Sequence, residues 1–205
     1  PSPRYKKLVE MYKTMHEQGS PEVGRPAKKT FSGKSLIEHV DRIGGLIEET
    51  GAKTLLDYGA GKGLFYEPYP GAPADSRFKS MKQWGDTKVT CYDPGYEPFS
   101  GAVEPKYDGV ICTDVLEHIT EEDIPWVLDK LFRHAQHFVY AVAACYPAKK
   151  FLPDGQNAHC TVQPPEWWRE QLEAAARRNP GIRWQLCAQL KAKIGKGKSD
   201  RVFRS

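Results

Sequence analysis

Asp114, Glu117 and His118 stand together in one short stretch of the chain, and His159 follows 41 residues later. An Asp-x-x-Glu-His run with a distant histidine is a mixed oxygen and nitrogen set that suits a divalent cation. The same side chains are also the ordinary carriers of a proton in acid–base chemistry, with His118, Glu117 and His159 the first candidates, then Asp114, and Tyr146 a lesser one. Upstream lies Asp57-Tyr58-Gly59-Ala60-Gly61-Lys62-Gly63, an acid followed by three alternating glycines. Such glycines permit positive φ and let a ligand approach the backbone closely. Asp93-Pro94 comes 36 residues after Asp57. A carboxylate there can accept hydrogen bonds from two vicinal hydroxyls at once.

The glycine run departs from two nucleotide signatures. The dinucleotide pattern GxGxxG needs a small residue at position 64, which is Leu64. The P-loop needs a glycine at position 56 and a hydroxyl at 63, where Leu56 and Gly63 stand. What remains is acidic-x-Gly-x-Gly-x-Gly. It resembles motif I of the class I S-adenosylmethionine-dependent methyltransferases. Asp93 resembles the family's acid at the end of the second strand. Tyr107 to Ile119, with its Asp-Val-Leu-Glu-His core, resembles the family's motif IV region. The resemblance runs from about residue 35 to the end. It implies S-adenosyl-L-methionine as cofactor, held by Asp57, Gly59, Ala60, Gly61, Gly63, Asp93, Pro94 and Asp114. Of the acid–base candidates, His118, His159 and Glu117 are the catalytic ones in this reading.

The principal reading is a metal-independent transfer of a methyl group to an O or N atom of a small molecule or saccharide. A sulfonium is already an activated electrophile, so the protein must chiefly position the acceptor. The alternative is a divalent metal on Asp114, Glu117, His118 and His159. That set resembles the Glu-x-x-Glu-His plus His site of metal-dependent small-RNA 2′-O-methyltransferases, with Asp in place of the first Glu. A non-catalytic binding module is a third reading, and the intact Asp57, glycines and Asp93 argue against it.

The elements that must position these groups read as a doubly wound α/β sheet, mostly parallel, with an antiparallel C-terminal strand. A helix is expected over 3–18, with Tyr5, Leu8, Val9, Tyr12 and Met15 as its apolar stripe. A second helix is expected over 35–50, opened by a Ser35/Glu38 capping box and stopped by Gly51. Short apolar runs at Thr54–Tyr58, Val89–Tyr92, Gly109–Thr113 and His137–Ala144 predict strands. Thr120 is the expected cap of a helix carrying Ile124, Val127, Leu128, Leu131 and Phe132. Pro165 opens a further helix to about Asn179, and Arg183–Leu190 with Arg201–Phe203 predicts a closing strand pair. Residues 1–34 read as an N-terminal helix and lid-like loop, and 35–205 as the cofactor-binding domain. Only 13 residues separate Asp93 from Tyr107. No strand with its helix fits there, so the family's third strand is expected to be missing or vestigial.

Segments 1–34, 64–88 and 145–168 are expected to shape the acceptor pocket. They carry Tyr66, Tyr69, Trp84, Tyr146, Trp167 and Trp168, of which Trp168 reads as core and Trp167 as the better surface candidate. His16, His39, His134 and His137 read as structural.

The chain has 205 residues, 40% of them apolar, and a formal net charge of +4. That supports one domain with a core. No stretch is apolar enough for a membrane span, and PSPRYKKLVE has no secretion-signal core. The five cysteines are odd in number and form no CxxC, which predicts reduced, mostly buried thiols in a cytoplasmic protein. Residues 183–205 hold seven Lys or Arg against one Asp. This basic hairpin reads as a solvated face, or in the alternative as a nucleic-acid contact.

Overall fold

The computed structural model describes residues 1–20, 24, 26–66, 84–191 and 197–205. Six strands form one sheet: β1 (Thr54–Tyr58), β2 (Lys88–Tyr92), β3 (Tyr107–Cys112), β4 (Ala135–Ala144), β5 (Arg183–Lys191) and β6 (Lys198–Arg204). Their order is β2-β1-β3-β4-β5-β6. Neighbours from β2 to β5 are parallel, and β6 closes the edge antiparallel to β5. Among the described residues β2 is the other edge. Between Asp93 and Tyr107 there is only a 3-10 turn, Glu97–Phe99, so the third strand is absent where the short spacing left no room for it.

Among the described residues four helices flank the sheet: α1 (Pro3–Gln18), α2 (Val40–Thr50), α3 (Ile124–His134) and α4 (Pro165–Arg178). The period of two in β4 divides the core. Val139, Ala141 and Ala143 face α3 and α4. Phe138, Tyr140 and Val142 face α2. All six are buried, which is why this strand reads as almost continuously apolar. None of the described helices is long and apolar enough to cross a membrane.

The local signals at helix ends were less accurate than the stripes. Residues 34–39 form a 3-10 turn capped by Gly33, and the expected Ser35/Glu38 capping box is absent. Gly51 does end α2, in the left-handed conformation. The Thr120 hydroxyl caps no amide; it donates to Asp123 Oδ2 at 2.5 Å, and Asp123 also accepts from the Ser2 amide and hydroxyl. That carboxylate therefore fastens the start of α1 to the start of α3. All five cysteines are free thiols, but only Cys112 and Cys187 are buried, so the expectation of mostly buried cysteines is corrected. Residues 67–83, most of the 64–88 segment and Tyr69 with it, lie outside the described residues, as do residues 192–196 between β5 and β6.

Candidate active site

A cavity of about 720 Å³ opens at the carboxyl ends of the parallel strands, where ligands bind in open α/β sheets. The turn after β1 forms its floor, and α1 crosses it with Tyr5, Leu8, Tyr12 and His16. Gly59, Ala60, Gly61, Asp93, Pro94 and Asp114 all line it, as do His118, His159 and Tyr146. Gly63 does not reach the cavity wall; it lies against Cys91 and Phe99.

The glycine turn is tied to the next strand and to the N-terminal segment. Gly59 and Ala60 both donate to the Tyr92 carbonyl, at 2.7 and 3.1 Å. Lys62 and Leu64 donate to the carbonyls of Phe31 and Ser32. A Cβ on Gly61 would lie 2.2 Å from the Phe31 carbonyl oxygen, so the close approach that requires this glycine is made by the chain itself. Phe31 has φ 47, a left-handed conformation that a bulky residue rarely adopts. The Lys62 ammonium reaches under α1 to Thr30 and to His16, 3.2 Å from Nδ1. His16 is therefore not a bystander: burial, with Lys62 beside it, holds its pKa down to about 4.

The two acids of the cofactor motif sit differently. Asp93 Oδ2 accepts from the Gly61 amide at 2.9 Å and Oδ1 from the Gly95 amide at 2.8 Å. Each carboxylate oxygen keeps a further lone pair for a ligand hydroxyl. Asp57 is buried, and Oδ2 accepts from the Tyr66 hydroxyl at 2.6 Å. Oδ1 is buried with no partner, and burial raises the carboxyl pKa to about 7.

The four residues singled out for chemistry converge. One ligand atom from each of Asp114, Glu117, His118 and His159 lies within 4.8 Å of all the others. Asp114 follows β3 with φ 61, which turns the chain into the Leu116–His118 3-10 turn. Glu117 is fully buried; Oε1 accepts from the Ala144 amide at 3.1 Å and Oε2 has no partner. Burial, with Asp114 nearby, pushes its carboxyl well above the ordinary range. Burial alone would also raise Asp114, but His118 beside it pulls the group below its usual value. His118 Nδ1 lies 2.8 Å from the Ala158 carbonyl and 2.8 Å from the Tyr12 hydroxyl. His159 Nδ1 lies 2.5 Å from the Tyr146 carbonyl. A ring nitrogen facing a carbonyl must carry the proton, so both histidines present a free Nε2 lone pair. Burial lowers both, His118 to about 4, so both are neutral near pH 7.

No protein-family model matches the chain, and no curated protein matches it.

Several aromatic side chains lie elsewhere than expected. Trp84 is buried below α2, its indole donating to the Val40 carbonyl at 3.0 Å, and Tyr66 points at Asp57. Trp168 is core as expected, while Trp167 packs edge-on against it and not on the cavity. His39 is buried against the Tyr140 hydroxyl at 2.8 Å, and His134 lies beside the Glu104 carbonyl, both structural positions. His137 sits 3.9 Å from Asp108, away from the cavity.

Sequence reasoning missed two residues. Asn157 folds the loop before His159: its side chain bonds both the amide and the carbonyl of Ala148, at 2.9 Å each, and accepts from the His159 amide. Tyr12 belongs to the apolar stripe of α1, but its hydroxyl ends at His118. A tyrosine in a stripe was the only signal.

Proposed function

We propose that this protein is an S-adenosyl-L-methionine-dependent methyltransferase acting in the cytoplasm on an oxygen or nitrogen of a small molecule or saccharide. The observation that carries the reading is a shared space. The glycine turn with Asp93 opens on the same cavity as His118 and His159. Bound there, S-adenosyl-L-methionine would supply the methyl electrophile on its sulfonium. The residues suit it: Asp93 keeps lone pairs for the ribose hydroxyls, and Asp57, Gly59, Ala60 and Gly61 line the cavity beside it. His159 is the base for an acceptor that must lose a proton. Its Nε2 is free, and the Tyr146 carbonyl fixes its orientation. His118, held down to about 4, is the weaker base and acts as a positioner.

The convergence of four ligand atoms favours a second reading, the metal-dependent RNA 2′-O-methyltransferase. The side chains fit a divalent cation. Both histidines have Nδ1 engaged by a backbone carbonyl, the usual outer-shell arrangement of metal-bound imidazole, and Glu117 has an orphaned oxygen. Asp114, Glu117, His118 and His159 would hold the ion, which would supply Lewis-acid polarisation of the acceptor oxygen.

Calorimetric titration with S-adenosylhomocysteine tests the first claim. Micromolar, stoichiometric binding is expected, weakened by about 1.5–3 kcal/mol in Asp93→Ala; absence of binding removes the methyltransferase reading. Turnover assayed with and without a chelator then separates the two mechanisms.

A further inference from the structure

Lysines surround the cavity mouth. Lys29 and Lys34 come from the segment before α2, Lys149 and Lys150 from the loop after β4, and Lys191 and Lys198 from the facing ends of β5 and β6, where they are register partners. All but Lys150 are exposed. Among the described residues Lys29, Lys34, Lys149 and Lys191 form no ion pair, while Lys198 lies 3.7 Å from Glu38. The acids on the cavity wall are outnumbered: Asp57, Asp93 and Asp114 stand against six lysines, and only Asp114 acts on a rim lysine, Lys198. Three separate stretches of chain thus bring like charges to one opening, which is unfavourable without an anion between them. The cofactor proposed above does not supply it, because a sulfonium with an amino acid end carries net positive charge. A lysine ammonium is a mobile point charge suited to phosphate oxygens without a fixed geometry.

We propose that the methyl acceptor carries phosphate, held by the lysine rim while its accepting atom sits between Asp114 and His159. This rests on the methyltransferase reading and names the acceptor's chemical class. The phosphate could belong to a free phosphorylated metabolite or to a nucleic-acid strand.

The test uses metal-free protein at low salt with two probes, inorganic pyrophosphate by calorimetry and a fluorescein-labelled ten-nucleotide oligoribonucleotide by anisotropy. The rim variant is Lys34→Glu/Lys149→Glu. The control is Lys53→Glu/Lys88→Glu, two exposed lysines at the opposite edge of the parallel strands. At least one probe should bind, and the rim variant should bind it about tenfold or more weakly while the control matches wild type. Binding of pyrophosphate points to a small phosphorylated acceptor, and binding of the oligonucleotide alone points to a strand. Failure of both probes, or equal loss in both variants, overturns the proposal. S-adenosylhomocysteine affinity, unchanged in the rim variant, is measured in parallel. If wild type binds an anion but not S-adenosylhomocysteine, the methyltransferase reading fails and the anion site stands. If it binds S-adenosylhomocysteine but neither anion, only the phosphate proposal fails.

Discussion

The Tyr12 phenol oxygen, from the middle of α1, lies 2.8 Å from Nδ1 of His118. It is also 3.3 Å from the Ala158 carbonyl, which itself takes the His118 proton at 2.8 Å. The helix that crosses the cavity is thereby in contact with the residues beneath it. Other ties hold it: Ser2 to Asp123, Arg4 to Asp154, and His16 to Lys62.

Tyr12→Phe keeps the ring and removes only the hydroxyl. Losing one such hydrogen bond costs roughly 0.5–1.5 kcal/mol. We expect kcat to fall about two- to tenfold, with S-adenosylhomocysteine affinity and melting temperature near wild type. A variant with unchanged kcat would show that the hydroxyl has no part in holding His118.

Mn²⁺ titration followed by electron paramagnetic resonance tests the ligand set directly, without any acceptor. The metal-independent reading expects no site in the wild type, and the metal-dependent reading expects one. His159→Ala and Glu117→Gln should each weaken it by about tenfold or more, since each removes a donor from a four-residue set. An affinity indifferent to both changes would place the ion elsewhere.

Asp57 makes stability depend on pH. Folded, its carboxyl keeps a proton up to about pH 7; the ordinary value is 3.8. Between these values the native chain binds the extra proton, so stability falls as pH rises and stays reduced above 7. Asp57→Asn abolishes this cost. Urea unfolding without cofactor should show the variant close to wild type at pH 4. At pH 8 it should be more stable, by on the order of 4 kcal/mol. A gap that stays constant with pH would contradict the buried, unpaired oxygen.

Gly61 has φ 59, and a side chain there would strike the Phe31 carbonyl. Gly61→Val should destabilise the fold by about 3 kcal/mol or more, from left-handed strain together with overpacking. Loss of cofactor binding would follow from that displacement rather than from filling ligand space. Chemical denaturation decides it: a variant as stable as wild type would mean that residues 31–32 do not pack on the glycine turn.

The sequence by itself determined the layered α/β sheet, because strand and helix periodicities are local and the central strands β1, β3 and β4 are apolar runs. It also determined the missing third strand, since 13 residues cannot hold a strand together with its helix. It marked Asp57, Asp93, Asp114, Glu117, His118 and His159 by type and spacing. Tertiary structure alone decided that the last four meet within 4.8 Å, because His159 is brought in by a loop that Asn157 folds. It decided that Trp84 is core, since the stretch before it carries no period to assign a face. It decided the caps as well: Asp123 takes the Thr120 hydroxyl and also the amide and hydroxyl of Ser2, 121 residues away in sequence. The lysine rim is likewise invisible in one dimension. Its members come from three distant segments, and only the fold, which brings the loop after β4 and the β5–β6 pair to the same cavity as the segment before α2, gathers their charge at one mouth.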